Sequence, residues 1–264
     1  MTMFLNQNEV KDFQDYLSKI EIITNSILGN DWAFISTIKN YQVNFDKALL
    51  LDSVIKSLNE KGKLAILQDV SCLFAKDSEI LRNFLFENDY VDAIIALPNK
   101  MLSAFDEYAY LWILNAQKEE KRKGKVQLID ATCVYHKLEN DEVEKTISND
   151  GLELISKAYF DFVNQAISEM NLNIEVKICN LNEFECYELV YSSTENGESI
   201  NEYVKVNAGQ TMEDYFKINI LPNEPNAKIN YDLTKRFYEI DFSEYFKCSA
   251  NQTKCKDIFG NEIW

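Results

Sequence analysis

Four cations stand within five residues, Lys121, Arg122, Lys123 and Lys125, in the stretch KRKGKVQLIDAT. Ammonium and guanidinium groups at this density contact phosphates or an acidic partner, and they also make ordinary solvated turns; the run by itself carries both readings. Other chemistry-bearing residues are sparse. His136 is the sole histidine, so it serves a triad only as the base, and multi-histidine metal sites are excluded. Beside Lys137 and after a strand, it reads most simply as a solvated surface residue. The cysteines Cys72, Cys133, Cys179, Cys186, Cys248 and Cys255 show no C-x-x-C, and their one repeated spacing, C-x6-C, is not a usual zinc-ligand spacing. They read as reduced structural thiols. Asp69, Asp92 and Asp130 read as strand-end or surface acids, since acid-base work requires a pair brought together in space.

These residues sit in a chain of 264 residues with 46% hydrophobic and 12% aromatic content, enough for one large core or two modest ones without disulfides or metal. The formal net charge is -16. It is unevenly placed: residues 138–202 carry 15 Asp and Glu against 3 Lys and no Arg. Generic duplex binding through that half is unfavourable, because phosphate contacts need Lys and Arg. The acidic half is either a solvated face or a surface that imitates DNA phosphates. No 18-residue apolar run exists, and the start MTMFLNQNEVKDFQ has neither a basic n-region nor an apolar h-region. The expectation is a cytoplasmic protein with no membrane contact.

The elements that must position these residues follow from periodicity. Val10, Phe13, Leu17, Ile20 and Ile27 line one helical face over residues 8–28. DKALLLDSVIKSLNE is a second helix, with Asp46 as N-cap and Gly62 as the left-handed stop. KLAILQD reads as a buried strand, KDSEILRNFLFEND as a helix and VDAIIALP as a strand, the order of a parallel crossover unit. YAYLWILNAQ and GKVQLIDA, joined by KEEKRKGK, read as a hairpin at one sheet edge. Residues 152–170 read as another amphipathic helix that includes Ile167. IEVKIC and ECYELVYS read as antiparallel strands, with TENGE as a further turn.

In order and spacing, GKLAILQDVSCLF, ILRNFLFENDYVDAIIALPNKML and YLWILNAQKEEKRKGKVQLIDAT resemble the C-terminal half of the modification (M) subunit of type I restriction-modification systems, a family of adenine-N6 DNA methyltransferases. NEFECYELVYS and TMEDYFKINILPNEPNAKINYDLTKRFYEIDFSEYFK resemble later segments of that subunit, so the likeness covers about residues 44–247. RKGKVQLIDAT and YEIDFSEYF are the most distinctive pieces. The resemblance implies an α/β fold: a partial, Rossmann-like, mostly parallel sheet with flanking helices and an edge hairpin, plus an α+β C-terminal extension. It divides the chain into a methyltransferase-like part with its N-terminal helix, 1–137, and an acidic C-terminal region, 138–264.

The family's chemistry needs two sites. S-adenosylmethionine is held by a glycine-containing turn after the first strand, and the flipped adenine by an Asn-Pro-Pro-aromatic motif. The seven glycines here form no G-x-G, and the prolines, Pro98, Pro222 and Pro225, form no pair. GNDWAF, residues 29–34, offers Asn30, Trp32 and Phe34 without prolines, and is either a degenerate remnant or an unrelated helix end. The family's Thr-Gly-Ile-Pro loop is replaced by SAFDEYAYL. Three functions stand open: a truncated relative that transfers no methyl group alone and acts through protein contacts, an acidic decoy that occupies a restriction-modification complex, and an active adenine methyltransferase with a diverged or complemented site. The first expects a homodimer or a restriction-modification subunit as partner, weak or absent direct DNA binding, and no cofactor. S-adenosylmethionine belongs to the third. Lys121, Arg122, Lys123 and Lys125 are then an inherited nucleic-acid or partner contact, and no residue is assigned to catalysis, cofactor or metal.

Overall fold

The computed structural model describes residues 7–29, 31–36, 47–99, 101, 108–138, 141–169, 171–195 and 198–246. Three helices come where the apolar periodicity places them: α1 (Gln7–Leu28), α2 (Lys47–Lys61) and α3 (Glu79–Glu87). Gly62 closes α2 as expected, with φ +71 and its N–H on the Leu58 carbonyl at 2.8 Å. The expected N-cap Asp46 lies outside the described residues.

The main sheet has seven strands: β1 (Ala33–Ser36), β2 (Lys63–Asp69), β3 (Val91–Ala96), β4 (Ala109–Asn115), β5 (Lys125–Cys133), β8 (Gln165–Glu169) and β9 (Leu172–Asn180), in the spatial order β1-β2-β4-β3-β5-β9-β8. Five of them run one way and β4 and β9 run against them. The fold is therefore α/β with a mixed sheet. Between β5 and β8 lie a two-stranded ribbon, β6 (His136–Leu138) and β7 (Asp141–Thr146), and the helix α4 (Asn149–Asp161). A second sheet joins β10 (Glu185–Glu195), β11 (Glu198–Val206), β12 (Lys228–Ile229) and β13 (Lys235–Tyr238), all antiparallel to β10. Because β8 and β9 belong to the main sheet, the expected division at 137/138 runs through that sheet.

Alternation along each strand sends side chains to two cores. Ala65, Leu67, Ala93, Ile95, Leu111 and Ile113 meet Ile20, Ile23 and Ile27 of α1 and Leu152, Ile155 and Ala158 of α4. Leu64, Ile66, Ile94, Tyr110, Trp112 and Leu128 meet Leu50, Val54 and Leu58 of α2 and Leu81, Leu85 and Phe86 of α3. Helices thus cover both faces, the usual state of a sheet containing parallel pairs. Among the described residues no helix is long and apolar enough to cross a membrane.

Three expectations need correction. β4 and β5 are not a hairpin and not at an edge: β3 lies between them, antiparallel to β4 and parallel to β5. Both are fully buried in mid-strand, and burial on two faces draws such strands to the centre of a sheet. The edge hairpin is β8–β9 instead. The helix expected over 152–170 stops at Asp161, where Phe162 turns left-handed at φ 46, and residues 165–169 form β8. Asn164 Oδ1 accepts the Ile178 N–H at 2.6 Å, which fixes the returning chain beside β9. Finally, IEVKIC and ECYELVYS do not pair. β9 joins the main sheet, β10 the second one, and the short helical turn Leu181–Phe184 with its Asn180–Glu183 capping box separates them.

Ile23 is fully buried between α1, α4 and the sheet. Ile23→Ala is expected to lower stability by about 2–5 kcal/mol in urea unfolding; a change under about 0.5 kcal/mol would show α1 to be a peripheral helix.

Candidate functional site

The basic run divides on folding. Lys121 and Lys123 are exposed and paired with local glutamates, Lys121 with Glu119 at 3.3 Å and Lys123 with Glu120. Lys125 begins β5, half-buried. Arg122 turns inward and is only 4% exposed, so it is not part of any surface contact. Its guanidinium reaches Asp92 Oδ1 and Gln127 Oε1, both at 3.2 Å, and the Tyr159 carbonyl at 2.5 Å. It also stacks 4.1 Å from the ring centroids of Tyr159 and Phe162. The Tyr159 hydroxyl donates to Asp92 Oδ2, and Gln127 Nε2 donates to the Ala158 carbonyl at 2.8 Å. Asp92 is wholly buried. Burial, then the Asp92 charge, push the Tyr159 phenol well above its usual range, so it stays a neutral donor.

This arrangement closes on itself. Every polar group in it is satisfied, which fits a buried ion pair that fastens the 119–124 turn and β3 to α4 rather than a reacting centre. A second buried cation behaves alike: Lys118 Nζ donates to Asp89 Oδ1 at 2.6 Å and to the Lys125 carbonyl at 2.8 Å, while Asp89 Oδ2 accepts the Gly124 N–H at 2.8 Å. Burial lowers the Lys118 pKa and the Asp89 partner opposes that shift.

In open α/β sheets, ligands bind outside the carboxyl ends of the parallel strands. That rim holds Asp69 at the end of β2, Asn99 after β3, and Asp130 near the end of β5. Asp69 accepts the Ser71 N–H at 2.9 Å, and Asp130 accepts the Thr132 N–H at 3.0 Å and its hydroxyl at 2.5 Å, so both carboxylates cap turns. Two strands, β4 and β3, separate β2 from β5, placing these acids about 14 Å apart. Asp92 lies at the opposite end of the sheet, where Val91 pairs with Leu114. The three acids form no acid-base pair. Lys145 of β7 reaches Asn99 Oδ1 at 2.5 Å and sits 4.0 Å from the centroid of the Tyr135 ring, tying the ribbon to the rim. His136 is exposed and meets Ser148 Oγ at 3.2 Å.

Within GNDWAF, Gly29 ends α1 at φ +80, Asn30 lies outside the described residues, and Trp32 donates to Asn25 Oδ1 at 2.8 Å. Trp32 and Phe34 meet edge to face at 6.1 Å. Residues 103–107 of the replaced loop also lie outside the described residues. Of the positive-φ glycines among the described residues, Gly29, Gly62 and Gly124 stand before β1, β2 and β5, at the amino ends of main-sheet strands, and Gly209 follows β11 of the second sheet. A nucleotide cradle places such a glycine after a parallel strand, and among the described residues no positive-φ glycine directly follows a strand of the main sheet. Among the described residues no group of three or more His, Cys, Asp or Glu side chains could hold a metal ion.

A separate anionic cavity of about 400 Å³ opens in the second sheet, lined by Ser193, Glu202 and residues 223–227. Tyr191 donates to Glu202 Oε2 at 3.0 Å, Ser193 donates to Glu202 Oε1 at 2.7 Å, and Glu224 Oε1 lies 3.5 Å from the same phenol. Burial, then the hydrogen bond to Glu202, push the Tyr191 pKa up to about 12.

Sequence reasoning missed the Asp92–Arg122–Tyr159 network. Its signal was a carboxylate inside the otherwise apolar strand VDAIIA, which demands a buried cation. Arg122→Met is expected to cost about 3 kcal/mol or more in urea unfolding, because it strands the Asp92 charge, whereas the double change with Asp92→Asn costs less. Equal losses in the two proteins would refute the pairing.

Comparison with known proteins places residues 17–199 within the family model described as N-6 DNA Methylase. The chain is 28% identical over 191 residues to the type I restriction enzyme MjaVIII methylase subunit of Methanocaldococcus jannaschii, covering 66% of this chain and 29% of that protein. It is 35% identical over 78 residues to the MjaVII methylase subunit of the same organism, covering 29% of this chain and 14% of that protein. The chain thus spans less than a third of the length of these curated relatives. A solved structure, the type I restriction-modification system methyltransferase subunit from Streptococcus thermophilus, is similar at 22% identity and a TM-score of 0.42, over 52% of this chain and 27% of that one.

Proposed function

Because the chain belongs to the N-6 DNA Methylase family, we propose that it supplies the sheet half of a type I modification-like methyltransferase, transfers no methyl group on its own, and acts through protein contacts. What supports this reading is β1. It ends the main sheet, pairs with β2 on one side only among the described residues, and follows α1 directly. Helices cover both faces of the sheet, yet this edge still offers backbone N–H and C=O groups in the sheet plane. A strand added there by another chain would satisfy them. The sequence has no G-x-G and no Pro-Pro pair, so cofactor and target base are held by residues outside it. The partner is a restriction-modification subunit or a second copy of this chain.

Two measurements test this. Isothermal calorimetry with S-adenosylmethionine is expected to show no binding into the millimolar range; a micromolar dissociation constant, about -8 kcal/mol, would revive an active methyltransferase. Light scattering at low and high salt is expected to show a dimer, or a complex with modification or specificity subunits, that survives salt. Association that vanishes with salt would point instead to the acidic surface and a decoy role. A strict monomer that ignores those subunits would sink the partner reading.

A further inference from the structure

One face of the second sheet takes no part in anything above. Directly opposite residues of an antiparallel sheet share a face. The registers therefore gather Glu188, Val190 and Ser192 of β10 with Asn201, Tyr203 and Lys205 of β11, Lys228 of β12 and Lys235 of β13. The same face also holds the buried Cys186, Val190 and Phe237, while the opposite face carries the small core in which Leu189, Tyr191 and Val206 pack on Phe216 and Ile220. Tyr203 is 63% exposed, and Tyr231, in the β12–β13 connection, is 59% exposed. Asn201, Lys228 and Lys235 are exposed as well. Lys205 pairs with Glu239 at 2.5 Å, and Lys76 reaches across from the main body to Glu188 at 3.6 Å. No carboxylate pairs with Lys228 or Lys235 among the described residues. In a chain of net charge -16, this face collects lysines and sets the exposed Tyr203 ring among them.

We propose that this face is a docking surface for single-stranded nucleic acid. Lys228 and Lys235 meet backbone phosphates, and the Tyr203 ring stacks on a base. An exposed aromatic ring beside lysines suits unpaired bases, whose π-faces are available, whereas a duplex hides those faces in its own stack. Lys228 and Tyr203 flank β10 from either side, about two strand spacings or roughly 10 Å apart, so a phosphate and a stacked base are held together. The two lysines also limit the electrostatic contribution, and the acidic remainder of the chain repels a long polyphosphate. The expected ligand is a short unpaired stretch, bound weakly and without sequence preference. This surface is independent of the β1 edge and of any methyl transfer.

Fluorescence anisotropy with a labelled oligothymidine of about twelve nucleotides, in about 50 mM salt, reads this directly. Saturable binding is expected, with an affinity that falls with salt at a log–log slope of about 1–2, the value for two phosphate contacts on a single strand. Tyr203→Ser is expected to weaken it about tenfold, with no change in the melting temperature because the ring is exposed. The pair Lys228→Glu and Lys235→Glu is expected to abolish it. A duplex of the same length is expected to bind at least about tenfold more weakly. The proposal is overturned by absence of binding at low salt, by binding that Tyr203→Ser leaves unchanged, or by equal affinity for the duplex. None of these outcomes bears on cofactor binding or on association through β1, so the two readings fail separately.

Discussion

The central strands β2, β4 and β3 are largely apolar on both faces, and that constraint organises the molecule. Ala65, Leu67, Ile95 and Ile113 on one side and Ile66, Ile94 and Trp112 on the other cannot face water together. Helices must cover each side, and they do so in two pairs, α1 with α4 and α2 with α3. The chain accordingly commits long apolar stripes to these four helices. The second sheet, with its own small core around Leu189, Tyr191 and Phe216, is attached beyond that sandwich.

Two buried guanidinium groups show how the interior tolerates charge. Arg122 is met by a carboxylate, an amide and a carbonyl, and stacks on two aromatic rings. Arg82 is 2% exposed and is satisfied by carbonyls alone. It donates to Cys72 at 3.0 Å, Ala75 at 3.2 Å and Phe74 at 3.3 Å, and to the Tyr238 carbonyl. Burial lowers its pKa, with the Glu239 charge opposing. The result is a clamp between the turn that follows β2 and the strand β13, reinforced by the Ile240 N–H on the Leu73 carbonyl at 3.0 Å. Through it the second sheet is fixed to the carboxyl-end rim of the first. Planar donors in a rigid fork suit this task, and a lysine would satisfy fewer carbonyls.

The distribution of function follows from what burial leaves over. The rim acids Asp69 and Asp130 are spent on capping turns, and the interior ion pairs are closed. Among the described residues, what remains open is peripheral: the outer edge of β1, the lysine-tyrosine face of the second sheet and the anionic cavity beneath it. The two contacts proposed above both lie at these margins.

The sequence by itself determined many of the elements and their apolar stripes, while β8 read as the end of a helix. Gly62 announced the end of α2, VDAIIALP and KLAILQD announced buried strands, and the stretches around RKGKVQLIDAT announced the family. Periodicity is a local property, and these signals are local. Only the tertiary structure decided which strands are neighbours. β3 inserts between β4 and β5 because pairing is chosen by burial on both faces and by register across more than thirty residues, none of which a hairpin-like turn encodes. The same holds for the sites. Nothing within KRKGK distinguishes Arg122 from Lys121 or Lys123, since the carboxylate that draws it inward is Asp92, thirty positions earlier in the chain. The face that gathers Tyr203, Lys228 and Lys235 likewise exists only once β11, β12 and β13 lie around β10. Charge pairing and face sharing depend on distance in space, which folding creates and the order of residues does not state.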